Sequence, residues 1–222
     1  MTGTAPPGIP WLTRIAVALA RLLLRLGARV RVEGLRDLPS GGPLIVVVNH
    51  LSNADPPLVV GWLTPVLGRQ MHILAKEALF VGPLGRLFRA LGASPVRSGG
   101  SDMDAFRVAR GVLDGGGVLC IFPEGTRSAT GEMADPKPGV AMLATRSGVP
   151  VLPVGISGSD NFLGRGRRLP RLRAPITMRV GRPFVLEVDH GLPRREQIQT
   201  ASDQLMSRIA ALVDERHRGR FG

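Results

Sequence analysis

Two hydrophobic periods share the chain. Leu44 to Val48 reads LIVVV, a β-branched run between the turn Arg36-Asp37-Leu38-Pro39-Ser40-Gly41-Gly42-Pro43 and the polar pair Asn49-His50. Such a run predicts a short strand buried on both faces. Met71–Ala75, Gly117–Phe122, Val151–Ile156 and Ile176–Val180 predict four more. Helical spacing covers Glu77–Leu91, interrupted near Gly82-Pro83. It returns in Asp102–Leu113 (with Ser101 or Asp102 as N-cap), in Lys137–Ser147 ahead of Gly148-Val149-Pro150, and in Arg194–Arg218. Pro56-Pro57 opens a further helix. Strands that alternate with helices predict an α/β fold, with a mostly parallel central sheet flanked by helices. No internal repeat is present, and Asn161–Pro175 (NFLGRGRRLPRLRAP) is an Arg/Gly/Pro-rich loop.

The amino-terminal stretch Trp11–Val32 (WLTRIAVALARLLLRLGARVRV) is amphipathic. At about 100° per residue, Arg14, Arg21, Arg25 and Arg29 fall within one sector of about 80°, and Leu, Ile, Val and Ala fill the rest. The arginines leave no run of uncharged residues long enough for a transmembrane helix. A secretory signal is also a poor fit: no basic side chain precedes Arg14, and the apolar stretch before Ala18-Leu19-Ala20 is too short. Two readings remain. One is a core helix with a solvated Arg stripe. The other is an interfacial helix, with its apolar face in the acyl boundary and its arginines on lipid phosphates. The expected division is residues 1–33 as this helical segment and 34–222 as an α/β domain.

Composition adds constraints. The chain has 222 residues, 44% of them hydrophobic, which is enough for a substantial core. The formal net charge is +12, carried almost entirely by arginine, with lysine only at 76 and 137. Such a balance favours a polyanionic partner: nucleic acid, an anionic membrane or a phosphorylated substrate. Nucleic acid is disfavoured, because the arginines are scattered and stacking aromatics are few. The single cysteine, Cys120, excludes an internal disulfide framework and a cysteine-ligated zinc site.

Chemistry concentrates where strands end. His50 follows the first buried run, and Asp55 stands five positions on, at the start of a helix. A neutral imidazole takes a proton from a hydroxyl when its other ring nitrogen is held by an acceptor, a role open to Asp55. Asp55 can equally be a helix cap beside an ordinary loop histidine. Ile121-Phe122-Pro123-Glu124-Gly125-Thr126-Arg127-Ser128 follows another buried run. There Arg127 can grip a phosphate with a bidentate fork, and Glu124 can accept from a substrate hydroxyl or hold an arginine. Arg97, in Gly92-Ala93-Ser94-Pro95-Val96-Arg97, offers a second cation, and Val149–Val154 (VPVLPV) shapes a wall without a reactive group. Gly115-Gly116-Gly117 reads as a turn, Cys120 as core and His72 as structural. His190 and His217 sit in loop and tail, and no histidine–carboxylate set has metal-site spacing.

These four blocks, in this order, resemble those of the glycerolipid acyltransferase family. His50 to Asp55 is similar to its H-x4-D signature, Arg97 lies in the loosest of the matching blocks, FPEGTRS matches the third and VPVLPV the fourth, over about residues 34 to 185. Lys76 and Lys137-Pro138-Gly139 share the likeness. The resemblance implies transfer of a fatty acyl group from acyl-CoA or acyl carrier protein to the sn-2 hydroxyl of 1-acyl-sn-glycerol 3-phosphate, giving phosphatidic acid. Sister acceptors are glycerol 3-phosphate, another lysophospholipid or an aminolipid. It implies His50 as base, Asp55 as orienter, and Arg97, Glu124, Gly125, Thr126 and Arg127 on the acceptor, with no cofactor beyond the thioester substrate. It favours a monotopic enzyme on the cytoplasmic face of an anionic membrane, which tips the amino-terminal segment toward the interfacial reading.

Overall fold

A computed structural model describes residues 8–36, 38–96, 102–167, 169–189 and 191–222. Among the described residues, seven strands form one sheet: β1 (Ala28–Glu33), β2 (Leu44–Val48), β3 (Met71–Lys76), β4 (Ala93–Val96), β5 (Val118–Ile121), β6 (Val151–Ser157) and β7 (Ala174–Val180). Their spatial order is β1-β7-β6-β2-β5-β3-β4. β6, β2, β5, β3 and β4 run parallel, whereas β7 is antiparallel to β6 and parallel to β1. The helices are α1 (Trp11–Gly27), α2 (Asp55–Leu67), α3 (Gly82–Ala90), α4 (Asp102–Asp114), α5 (Pro138–Ser147), α6 (Ser159–Leu163) and α7 (Arg194–Ala210).

The sheet separates two cores, and β2 serves both. Leu44, Val46 and Val48 face a core shared with α1 and α2, while Ile45 and Val47 face one shared with α4, α5 and α7. A strand that is apolar at every position is what a sheet covered on both faces requires. The α/β class and mostly parallel sheet therefore agree with the expectation from sequence.

Several boundaries differ. The amino-terminal helix stops at Gly27 instead of running to residue 33, and Ala28–Glu33 joins the sheet edge. Here a period of two (Val30 and Val32 against Arg29 and Arg31) overrides the helical reading, because pairing with β7 satisfies the main chain. The carboxy-terminal helix ends at Ala210, not Arg218, and two short 3₁₀ turns follow. Strand β4 and helix α6 had no clear periodicity and emerge only from contacts. The position of Ser101 as a helix cap lies outside the described residues.

Helix α1 presents three faces. Thr13, Ala16, Val17, Leu24 and Gly27 are buried against the body, a mostly small surface that lets α2 approach closely. Arg21 and Arg25 lie over the Trp62 ring of α2, at 5.4 and 5.6 Å. The large residues Trp11, Leu12, Ile15, Leu19, Leu22, Leu23 and Leu26 point to solvent, and Leu26 is 71% exposed. On a helical projection they occupy a continuous sector of about 120°. No described helix is long and apolar enough to cross a membrane.

Asn49 continues the sheet where β2 ends. Its buried side-chain amide donates to Ile156 O (2.9 Å) and accepts from Ile156 N–H (2.8 Å), standing in for a further residue of the β2–β6 ladder. Asn49→Ala leaves both main-chain groups buried without partners, at about 1–3 kcal/mol each. Thermal unfolding is expected to show a Tm lower by about 5–15 °C. Asn49→Asp keeps only the acceptor and should recover part of the loss.

Candidate active site

The carboxyl ends of β6, β2 and β5 stand side by side, and open α/β sheets place ligands along such a rim. His50 lies two residues beyond β2. Its Nδ1 is 3.0 Å from Asp55 Oδ2, and the same oxygen accepts from the main-chain N–H groups of Leu51 and Ser52, both at 2.7 Å. Asp55 is fully buried in the first turn of α2, where the positive end of the helix dipole favours a carboxylate. An acceptor facing Nδ1 fixes the proton there and leaves Nε2 basic. The imidazole stacks on Phe122 with ring centroids 4.2 Å apart, and its side chain keeps 16% exposure. The ring is thus held by an acid at one edge and an aromatic on one face, and is still reachable.

The loop after β5 grips the main chain of the same histidine. His50 N–H donates to Glu124 Oε1 (2.8 Å), and His50 C=O accepts from Ser128 N–H (2.8 Å). Glu124 Oε2 accepts from Ala134 N–H at 2.9 Å. Sequence placed Glu124 on the acceptor, whereas the structure points both of its oxygens at main-chain donors and leaves it 4% exposed. Burial raises the Glu124 pKa above the ordinary glutamate range, and the N–H donors of Ala134 and His50 offset only part of that rise.

Gly125 turns the chain in a left-handed conformation, φ +69°. A Cβ there would stand 2.7 Å from Lys137 Cε, so the absence of a side chain lets the lysine stem cross the loop. Thr126 is exposed and Arg127 half-buried, one residue before Ser128. Among the described residues no carboxylate lies within ion-pair distance of Arg127. His50, Asp55, Glu124, Gly125, Thr126 and Arg127 therefore share one rim. Arg97 lies outside the described residues, as does His190.

Two contributors were missed from sequence. Asn49 is one. The other is His217, read as a tail residue but fully buried. Its Nδ1–H donates to Gly131 O, its Nε2 accepts from Gly158 N–H (3.3 Å), and its C=O accepts from Met133 N–H (2.8 Å). The tail thereby straps the 131–133 loop, next to the Ala134 N–H that holds Glu124. Only the pairing of remote segments reveals this, and no local signal marks it. Cys120 is buried in β5, and burial pushes its thiol far up from its ordinary range, so it is core and no nucleophile. Burial also lowers the His72 pKa. Shallow hollows along α7, one against Pro136 and Pro138 and one against Phe184, lie away from His50 and hold no converging reactive groups.

Glu124 makes stability depend on pH. Its folded pKa lies above the unfolded one, so its contribution is present at low pH and is lost as pH rises through the raised folded value. Glu124→Gln removes that titration. Across this window the Tm of the native protein should fall relative to that of the variant. Parallel Tm–pH profiles would overturn the assignment.

The chain has counterparts among known proteins. A family model described as Acyltransferase matches residues 29–157. The 1-acyl-sn-glycerol-3-phosphate acyltransferase of Bacillus subtilis (strain 168) is 24% identical over 196 residues, covering 88% of this chain and 94% of that protein. The human 1-acyl-sn-glycerol-3-phosphate acyltransferase alpha is 31% identical over 145 residues, 64% of this chain and 50% of that protein. The chloroplastic acyltransferase LPAT1 of Arabidopsis thaliana is 30% identical over 62% of this chain and 38% of its own length. The chain thus spans half or less of these two longer relatives. The crystal structure of the 1-acyl-sn-glycerophosphate (LPA) acyltransferase PlsC from Thermotoga maritima superposes with a TM-score of 0.70 at 25% identity, covering 90% of this chain and 79% of that one. With the family model matching more than half of the chain, from β1 through β6, the protein belongs to the Acyltransferase family.

Proposed function

We propose that the protein transfers a fatty acyl group from an acyl thioester to the free hydroxyl of 1-acyl-sn-glycerol 3-phosphate, the acceptor named for several of its relatives. The observation that carries the reading is the His50 Nδ1 to Asp55 Oδ2 contact at 3.0 Å, on an oxygen already fixed by two main-chain N–H groups. A base held in one tautomer and one orientation is what alcohol activation needs.

In this mechanism His50 Nε2 takes the proton of the acceptor hydroxyl as the oxygen attacks the thioester carbonyl. Asp55 steadies the imidazolium that forms. The tetrahedral intermediate collapses to the new ester and expels the thiolate, which takes the proton back from Nε2. No enzyme nucleophile is required. Glu124 acts through His50, keeping its main chain in register. Arg127 and the Lys137 ammonium provide the charge for the acceptor's phosphate, and Arg97 is a further cation for the same group. Gly125 and Thr126 shape the turn between them. The donor is acyl-CoA or acyl carrier protein.

The acceptor resides in a bilayer, so the protein must work on one. The outward sector of α1, with Trp11 and six large aliphatic residues beside an arginine stripe, fits the interfacial reading of this helix. We place the enzyme as monotopic, on the cytoplasmic leaflet, whose anionic lipids attract the +12 chain.

Purified protein should release free thiol from an acyl thioester only when the acceptor is added. A panel of lysophosphatidic acid, glycerol 3-phosphate, other lysophospholipids and an aminolipid should rank lysophosphatidic acid first; another order reassigns the acceptor. His50→Ala should lower kcat by about 10²–10⁴-fold with circular dichroism unchanged. Retention of most activity would remove the base assignment. Arg127→Ala should raise the KM for the phosphorylated acceptor about tenfold or more with a smaller effect on kcat, and an unchanged KM would point to another phosphate ligand.

A further inference from the structure

We propose that the loop joining α6 to β7, through its described residues 164–167 and 169–173, is a second membrane contact that works with α1 to press the His50 rim against an anionic lipid surface. This rests on the reading of α1 as the helix that meets the membrane.

The loop connects the two places that matter. At its start, Gly164 forms a β-bridge with Ser52, and Leu163 O accepts from Ser52 Oγ at 2.7 Å, two residues from His50. At its end, Arg173 N–H donates to Gly27 O at 2.6 Å, the last residue of α1. Phe162 packs there too: a Cβ on Gly27 would stand 3.2 Å from its ring. The loop is therefore an edge running from the catalytic rim to the foot of the amphipathic helix.

Its shape is fixed from within. Arg171 N–H donates to Phe162 O (2.8 Å) and Arg167 N–H to Gly164 O (3.2 Å). Arg173 is the one non-glycine residue with positive φ among the described residues, at 60°. A non-glycine residue in that region is strained, and it persists where the surroundings impose it.

The chemistry displayed is that of α1. Leu169 is 80% exposed and Leu172 69% exposed. Arg165, Arg167, Arg171 and Arg173 are also exposed, and among the described residues no carboxylate lies within ion-pair distance of them. Apolar side chains interleaved with unpaired arginines match a surface that offers acyl chains and phosphates together. An acidic protein would satisfy the arginines but would not call for exposed leucines on a loop tied to the foot of a helix about 25 Å long that turns seven apolar residues outward.

The test uses the full chain and vesicles of phosphatidylcholine, with and without phosphatidylglycerol. Cys120 is buried, so Leu169→Cys directs an environment-sensitive fluorophore to the loop. Its emission should shift to the blue on mixed vesicles. Leu169→Ala with Leu172→Ala, and separately Arg165→Gln with Arg167→Gln and Arg171→Gln, should each weaken sedimentation with mixed vesicles about tenfold or more. Thioester turnover on a short-chain acceptor dispersed in detergent should stay native. Leu22→Asp with Leu26→Asp, checked for fold by circular dichroism, reports on α1 alone. If that pair loses binding while the loop variants bind as native, the loop proposal is overturned and the reading of α1 stands. If the α1 pair also binds as native, both fall. A probe that stays water-like on bound vesicles, and shifts only when acidic acyl carrier protein is added, overturns the lipid assignment in favour of protein docking.

Discussion

One oxygen atom, Asp55 Oδ2, accepts from the main chain of Leu51 and Ser52 and faces His50 Nδ1. Burying a carboxylate costs less when donors replace its hydration, and all of the donors here converge on Oδ2, while Oδ1 is buried without a partner among the described residues. Here the start of α2 supplies the field and the turn before it supplies the N–H groups. The imidazole then inherits a fixed position at little further cost, because its partner is already immobile. The acid cannot be moved without undoing the turn that delivers the histidine. Fold and chemistry depend on the same contact.

Around that contact the sheet does the positioning. β2 ends at the rim between β6 and β5, and each neighbour holds it in a different way. Asn49 extends the ladder to β6 through a side chain. The β5 loop holds His50 through Glu124 and Ser128. Glu124 is in turn tied to Ala134, and the loop beside Ala134 is strapped by buried His217. A chain of this kind transmits rigidity: each link ends on a main-chain group with one geometry, so loosening the tail reaches His50. The arginine and lysine of the same loop remain outside the network, so their charge is available to a ligand.

The helix that precedes the sheet obeys the opposite logic. Its small residues face the protein and its large ones face out, which leaves apolar area in water that the proposed lipid boundary would cover. The stacking of Arg21 and Arg25 on Trp62 fixes how the helix rolls on α2, and hence which way that apolar sector points. The helix is packed onto the domain through α2, so its orientation and that of the His50 rim are set together.

By itself, the sequence determined the central strands and the α/β class, and it offered the pairing of His50 with Asp55, which the family resemblance favoured over a bare helix cap. The first two rest on local periodicity, and the last on a turn of five residues, so each lies within reach of neighbours along the chain. The match of FPEGTRS to a known family block also located the second half of the rim. Tertiary structure decided that Ala28–Glu33 is a strand: six residues fit either period, and a partner about 145 residues away selects the period of two. It alone turned Glu124 inward to main-chain donors, made Asn49 a piece of sheet, and buried His217 against Gly131. Those roles depend on which remote main-chain groups arrive nearby, and no local pattern of side chains encodes that arrival.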